Sequence, residues 1–245
     1  MKNKEELKLK HPAMFPTELI SRLIKIYTKN NGEVILDPFM GTGSTVISAL
    51  KLHRKGIGIE LSKEYVRLAK ERIKSLQSDL DTTGKKYYKP EVYNRDANQM
   101  QDFLRPNSVD LCVTSPPYWD ILRQRRTSDK RDIRSYSNAK RDLGNIEGYD
   151  MFLSKLKEIF QKVYTSLKDN KWCIVIVMDI RKKSKFYPFH MDVVKLMGDI
   201  GFNFEDTIIW NRQHEYNNMR PLGYPYVFRV NKVHEYILIF RKVVK

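Results

Sequence analysis

The sequence predicts an α/β protein built on a doubly wound, mostly parallel sheet. Three observations carry that expectation. Short apolar runs alternate with amphipathic stretches, a glycine-containing turn follows the first run directly, and acidic residues stand at the ends of three successive runs. Alternating strands and helices fold as a layered α/β sheet, and ligands of such sheets bind outside the carboxyl ends of the strands.

In chain order, residues 16–27 place Leu19, Ile20, Leu23, Ile24, Ile26 and Tyr27 at helical spacing. Val34-Ile35-Leu36 reads as a short strand, followed by the glycine turn and a helix beginning near Ser44. Residues 56–61 form a second strand, leading into an amphipathic helix over 63–76. Val92-Tyr93 is a weak third strand, and the run from Val109 to Thr114 is the fourth. Residues 149–167 are helical, and 172–178 are almost continuously apolar, as in a central strand covered on both faces. Residues 204–210 and 236–240 supply two late strands with a Pro-containing loop between them. There is no internal repeat, and 245 residues suit one domain (1–245) with decorations.

The formal net charge of +16 and the isoelectric point near 9.7 call for a polyanionic partner, most economically nucleic acid. Cations concentrate in two inserts. The first, at about 119–147, carries Arg123, Arg125, Arg126, Lys130 and Arg131; the second, at about 211–232, carries Arg212, Arg220 and Arg229 among tyrosines. Long polar loops inside a compact domain tend to be functional or disordered. Basic residues interleaved with aromatics suit phosphates and unstacked bases. Residues 181–185 form a further basic run that grips phosphate or is simply solvated. Cys112 and Cys173 lie in apolar runs and read as buried thiols. No stretch approaches a membrane span, and the Lys-rich start lacks an apolar signal core, so a cytoplasmic protein is expected.

Chemistry gathers at the strand ends. Asp37-Pro38-Phe39-Met40-Gly41-Thr42-Gly43 follows the first strand, and its glycines permit a tight turn and close backbone approach to a ligand. Ser44 and Thr45 suit the start of the next helix. The turn lacks the third glycine of a dinucleotide fingerprint and any P-loop lysine. Glu60 closes the second strand about 20 residues on, where a carboxylate accepts both hydroxyls of a ribose. Asp96 lies just past the third strand. Ser115-Pro116-Pro117-Tyr118 ends the fourth: prolines cannot extend a ladder, their carbonyls stay free to accept hydrogen bonds, and the tyrosine offers a flat face to a planar base. His190, His214 and His234 show no zinc-like spacing, so no metal is expected. Asp179, after the central strand, lines a target pocket or caps a helix.

Taken together, the segments His11-Pro12 to Phe15-Pro16, Ile35 to Thr45, Gly56 to Glu60 with Tyr65, Ala69 and Arg72, Thr114 to Tyr118, and His234 to Lys242 resemble the S-adenosylmethionine-dependent DNA amino-methyltransferases, which modify adenine N6 or cytosine N4. The resemblance implies a Rossmann-like seven-stranded class I methyltransferase sheet with a reversed last strand. It implies S-adenosylmethionine held by Phe15, Thr17, Asp37, Pro38, Phe39, Gly41, Gly43, Ser44, Thr45, Glu60, Leu61, Asp96 and Ala97. It places catalysis on Ser115, Pro116, Pro117 and Tyr118 with the base flipped out of double-stranded DNA. The cation-rich inserts, through Arg123, Arg125, Arg126, Lys130, Arg131, Arg220 and Arg229, become the candidate target-recognition elements. A serine at the first catalytic position resembles the cytosine-N4 subgroup, with adenine N6 as the alternative. A restriction–modification setting with a cognate endonuclease is implied too. An RNA base amino-methyltransferase and a non-catalytic nucleic-acid-binding subunit remain open as rival readings.

Overall fold

The computed structural model describes residues 15–82, 84, 87–121, 142–182, 184–213, 221, 226 and 229–244. Its centre is a seven-stranded sheet of β1 (Val34–Asp37), β2 (Lys55–Ile59), β3 (Glu91–Tyr93), β4 (Val109–Thr114), β5 (Leu167–Val177), β8 (Phe202–Asn211) and β9 (His234–Lys242). The spatial order is β3-β2-β1-β4-β5-β9-β8. Strands β3, β2, β1, β4 and β5 are parallel, while β9 runs antiparallel to both of its neighbours. The last strand in the chain is thus the reversed one, inserted between β5 and the edge strand β8.

The helices are α1 (Thr17–Tyr27), α2 (Ser44–Lys51), α3 (Lys63–Thr82), α4 (Tyr149–Ser166) and α5 (Phe189–Ile200). Alternation along the central strands explains why their sequences read as unbroken apolar runs. Ile35, Leu111, Val113, Ile174, Ile176, Ile237 and Ile239 face one way, onto Ile20, Leu23 and Ile24 of α1. Leu36, Cys112, Cys173, Val175, Val177, Leu238 and Phe240 face the other, onto Phe152, Leu156 and Phe160 of α4 and Phe189 and Val193 of α5. Successive side chains of a strand point to opposite faces, so a strand buried on both needs apolar residues at every position. Each fully buried aliphatic or aromatic side chain contributes about 1.5–3 kcal/mol. Both cysteines are buried free thiols, paired across β4 and β5.

Four features differ from the sequence expectation. Strand β5 begins at Leu167, five residues early, because Leu167 pairs with Val109 across a register shift that takes up the polar stretch 168–171. Helix α5 has no counterpart in the sequence expectation, although Phe189, Val193, Leu196 and Met197 form its buried stripe. Arg181 and Lys182 close β6 (Ile180–Lys182) and Lys185 opens β7 (Lys185–Tyr187), the two strands of an antiparallel hairpin. Helix α3 runs to Thr82, past the expected end, on a solvated polar face. No helix among the described residues is long and apolar enough to cross a membrane.

Candidate active site

The carboxyl ends of β1, β2 and β4 open into a cavity with an empty volume of about 1030 Å³, its open mouth included. The turn after β1 forms its floor. Gly43 has φ +86° and would place a Cβ 3.1 Å from Ala69 Cβ, so that position requires glycine. Gly58 in β2 is fixed by close approach instead, since a Cβ there would lie 2.2 Å from Met40 Sδ. The Arg72 guanidinium, from α3, donates to the Thr42 carbonyl at 2.5 Å and ties the turn down.

Asp37 is buried at the end of β1 and accepts from Thr45 Oγ1 (2.6 Å), Thr114 Oγ1 (2.7 Å) and the Phe39 N–H (3.0 Å). Burial pushes its carboxyl above the usual range, against the pull of those three donors. Its bonds join β1, the start of α2 and the tip of β4, so it fixes the cavity wall that three elements share. Glu60 accepts from the Gly41 N–H (2.9 Å) and the Ser62 N–H (2.7 Å). Burial pushes the Glu60 carboxyl up to about 7, and the nearby Asp142 and Asp37 carboxylates add repulsion. Asp96 accepts from the Asn98 N–H at 2.9 Å as the cap of a short 3-10 helix, Ala97–Asp102.

The Ser115-Pro116-Pro117-Tyr118 segment leaves β4 along the same cavity. Ser115 Oγ donates to Tyr118 Oη at 3.4 Å, and Tyr118 Oη donates to Glu235 Oε2 at 3.1 Å. The Tyr118 ring is 7% exposed and meets Phe189 in a T-shaped contact. Trp119 then adopts φ +48°, a left-handed conformation that costs a bulky residue of the order of 1–3 kcal/mol. It is held there by its Nε1 bond to the Ile146 carbonyl (2.9 Å) and by Tyr149 and Tyr187 against its ring.

Of the residues expected to hold a cofactor, Phe15, Asp37, Pro38, Phe39, Gly41, Ser44, Thr45, Glu60, Leu61, Asp96 and Ala97 line this cavity, as do all four of the expected catalytic segment. Thr17 and Gly43 do not: Thr17 is buried with its carbonyl accepting from Ser48 Oγ, and Gly43 is the residue before α2. Sequence reasoning missed Asp142, Tyr65 and Arg95 as lining residues. Asp142 carries a local signal, the cap of the 3-10 helix Leu143–Asn145, where it accepts from the Gly144 N–H at 2.8 Å. Arg212 is corrected: rather than reaching for phosphate, it is buried, ion-paired with Glu235 and set 4.6 Å over the Trp210 ring. Asp179 does not line the cavity; it accepts from the His190 N–H (3.2 Å) in the first turn of α5, and its Oδ1 lies 2.5 Å from His190 Nδ1. Arg123, Arg125, Arg126, Lys130, Arg131 and Arg220 lie outside the described residues, and Arg229 is partly exposed. Among the described residues, no group of three or more His, Cys, Asp or Glu is placed to hold a metal ion.

A family model of N6 and N4 methyltransferases, described as DNA methylase, matches residues 1–71 and 109–245. The chain belongs to this DNA methylase family. It is thereby a member of the S-adenosylmethionine-dependent DNA amino-methyltransferases. Similar proteins include the orphan methyltransferase M.BamHII of Bacillus amyloliquefaciens, 39% identical over 37% of this chain and 34% of that protein. The Type II methyltransferase M.HpaI of Haemophilus parainfluenzae is 40% identical over 29% of this chain and 23% of its own length. The Type II methyltransferase M.MjaVI of Methanocaldococcus jannaschii is 34% identical over 46% and 52%. The aligned stretches thus span about a quarter to a half of these relatives. Among solved structures, TrmN of Thermus thermophilus is similar in fold over 95% of this chain and 50% of its own (TM-score 0.56, 13% identity). The match to a protein of Bacillus halodurans covers 92% of this chain and 99% of that one (TM-score 0.56, 12% identity). These likenesses are of fold alone, and they agree with the class I methyltransferase sheet.

Proposed function

We propose that this chain transfers a methyl group from S-adenosylmethionine to an exocyclic amine of a base flipped out of double-stranded DNA, with cytosine N4 favoured over adenine N6. The observation that carries the reading is that the acid-lined end of the cavity and the Ser-Pro-Pro-Tyr segment share one continuous lining. The residues present fit the cofactor. Glu60 offers a buried carboxylate to ribose hydroxyls, Ile59, Leu61 and Phe39 offer apolar walls, and the volume suits a nucleoside-sized ligand. When bound, S-adenosylmethionine supplies an electrophilic methyl on a sulfonium.

The protein's part is to make a poor nucleophile usable. The lone pair of an exocyclic amine is delocalised into its ring, so hydrogen bonds that favour a pyramidal nitrogen release it. Ser115 directs its own proton to Tyr118 Oη, which directs its proton to Glu235. That order leaves the Ser115 lone pairs free to accept from the amine, alongside the Pro116 carbonyl. Tyr118 then fixes the ring plane by stacking. Catalysis rests on positioning and electrostatics, with no strong base. The serine at the head of the segment supports N4 by resemblance. The first insert, through Arg123, Arg125 and Arg126, and the second, through Arg220 and Arg229, grip DNA phosphates during base flipping. A cognate restriction endonuclease and a cytoplasmic setting complete the proposal.

The test is methyl transfer from labelled S-adenosylmethionine to duplex DNA and to RNA side by side. Incorporation into DNA well above RNA is expected; incorporation into RNA alone would overturn the reading.

A further inference from the structure

The β6–β7 hairpin leaves the C-terminal end of β5, the strand beside β4 and its catalytic segment. One of its faces is braced on that segment: Lys182 Nζ lies 3.8 Å from the Trp119 ring centroid and 2.5 Å from Asp120 Oδ2. Tyr187 packs against the same Trp119 ring. Arg181 and Phe186 are paired across the hairpin and so share its other face. Phe186 is 41% exposed and carries two cations, Arg181 at 5.2 Å and Lys232 Nζ at 4.0 Å from its ring centroid.

The nearby carboxylate is Asp179, with Oδ2 3.5 Å from Lys232 and Oδ1 engaged by His190. Burial holds the Lys232 ammonium below the usual lysine range; Asp179 pulls the other way, and Arg181 adds a smaller repulsion. An ammonium has three donors, and the Lys232 Nζ is buried without a hydrogen bond of good geometry among the described residues. An anion that reaches both cations supplies the acceptor that the Lys232 donors lack and offsets the smaller Arg181 repulsion.

The geometry points to a phosphate clamp for the DNA backbone, formed by Arg181 and Lys232 across the ring of Phe186. It rests on DNA being the substrate and adds to the arginines of the two inserts a binding surface made by the hairpin and the end of the second insert, Lys232. A backbone phosphate is the occupant that fits, because the whole chain carries a net +16 and the hairpin is fastened to the loop that receives the base. Lys182 makes that fastening, so phosphate capture beside the site and the placing of Trp119 are mechanically joined.

The experiment measures duplex DNA affinity of wild type, Arg181→Gln and the Arg181→Gln/Lys232→Gln double variant between 50 and 200 mM salt, with S-adenosylmethionine affinity measured in parallel. Removing one phosphate-binding cation is expected to lower the salt slope by about 0.9, and removing both by about 1.8. Cofactor affinity is expected to stay within about twofold, since none of these side chains lines the cavity. Arg181 is exposed, so its single variant reads the clamp even if the double variant unfolds. An unchanged slope in Arg181→Gln overturns the clamp. Wild-type protein that binds DNA with a steep slope but methylates none overturns the proposed function instead, and leaves the clamp standing.

Discussion

Glu60 makes cofactor binding sensitive to pH in a range where free glutamate is fully ionised. Its carboxyl is pushed from 4.5 up to about 7 by burial, because two N–H donors do not replace the water it has lost. Ribose hydroxyls add donors that stabilise the ionised form, so binding requires deprotonation. Below pH 7 the dissociation constant of S-adenosylmethionine should rise by up to about tenfold per pH unit, or 1.36 kcal/mol, with a plateau above pH 8. The free protein shows the other side of the same linkage. A folded-state value of about 7 against 4.5 unfolded means that the group favours the fold fully below pH 4.5 and loses that contribution as the pH rises through 7. The cost of ionising it is of the order of 3 kcal/mol. Calorimetric titration between pH 5.5 and 8.5, on wild type and Glu60→Gln, reads the effect. The variant should bind weakly and lose the pH dependence. A flat profile in the wild type, or an unaltered one in Glu60→Gln, would refute the role given to this carboxylate.

Tyr118→Ala should lower methyl transfer by about 100-fold or more while cofactor affinity changes little, because it removes both the stacking face and the bond that orients Ser115. Equal loss of both quantities in rate and binding assays would count against that division. Tyr118→Phe should fall between the two, since the ring remains and only the link to Ser115 and Glu235 is cut. Gly43→Ala should destabilise the fold by about 1–2 kcal/mol in thermal or denaturant unfolding, because it combines φ +86° with a 3.1 Å approach to Ala69. Unchanged stability would mean that the turn relaxes at no cost.

The fold was legible where neighbouring residues decide it. The turn from Asp37 to Gly43 is local, and its glycine at φ +86° announces itself in the sequence. The central strands announced themselves because both faces are buried, as the split of Ile174 and Ile176 from Cys173 and Val175 makes plain. The hairpin did not, since Arg181, Lys182 and Lys185 read as a run that grips phosphate or is simply solvated until Phe186, Trp119 and Tyr187 are seen beneath them. Helix α5 was hidden by its position between that run and an edge strand. In the site, the strand-end acids were readable from spacing alone. The bond from Tyr118 to Glu235 spans 117 residues, and nothing local marks it. Arg212 illustrates the converse error, for composition assigned it to phosphate while Glu235 and Trp210 had already claimed it.

The measurement that decides most is mass spectrometry of nucleosides from unmethylated DNA incubated with the protein and S-adenosylmethionine. N4-methylcytosine should appear, and should vanish with Ser115→Ala. N6-methyladenine in its place would keep the reaction and contradict the choice of base, whereas unmodified DNA with bound cofactor would contradict the reaction itself.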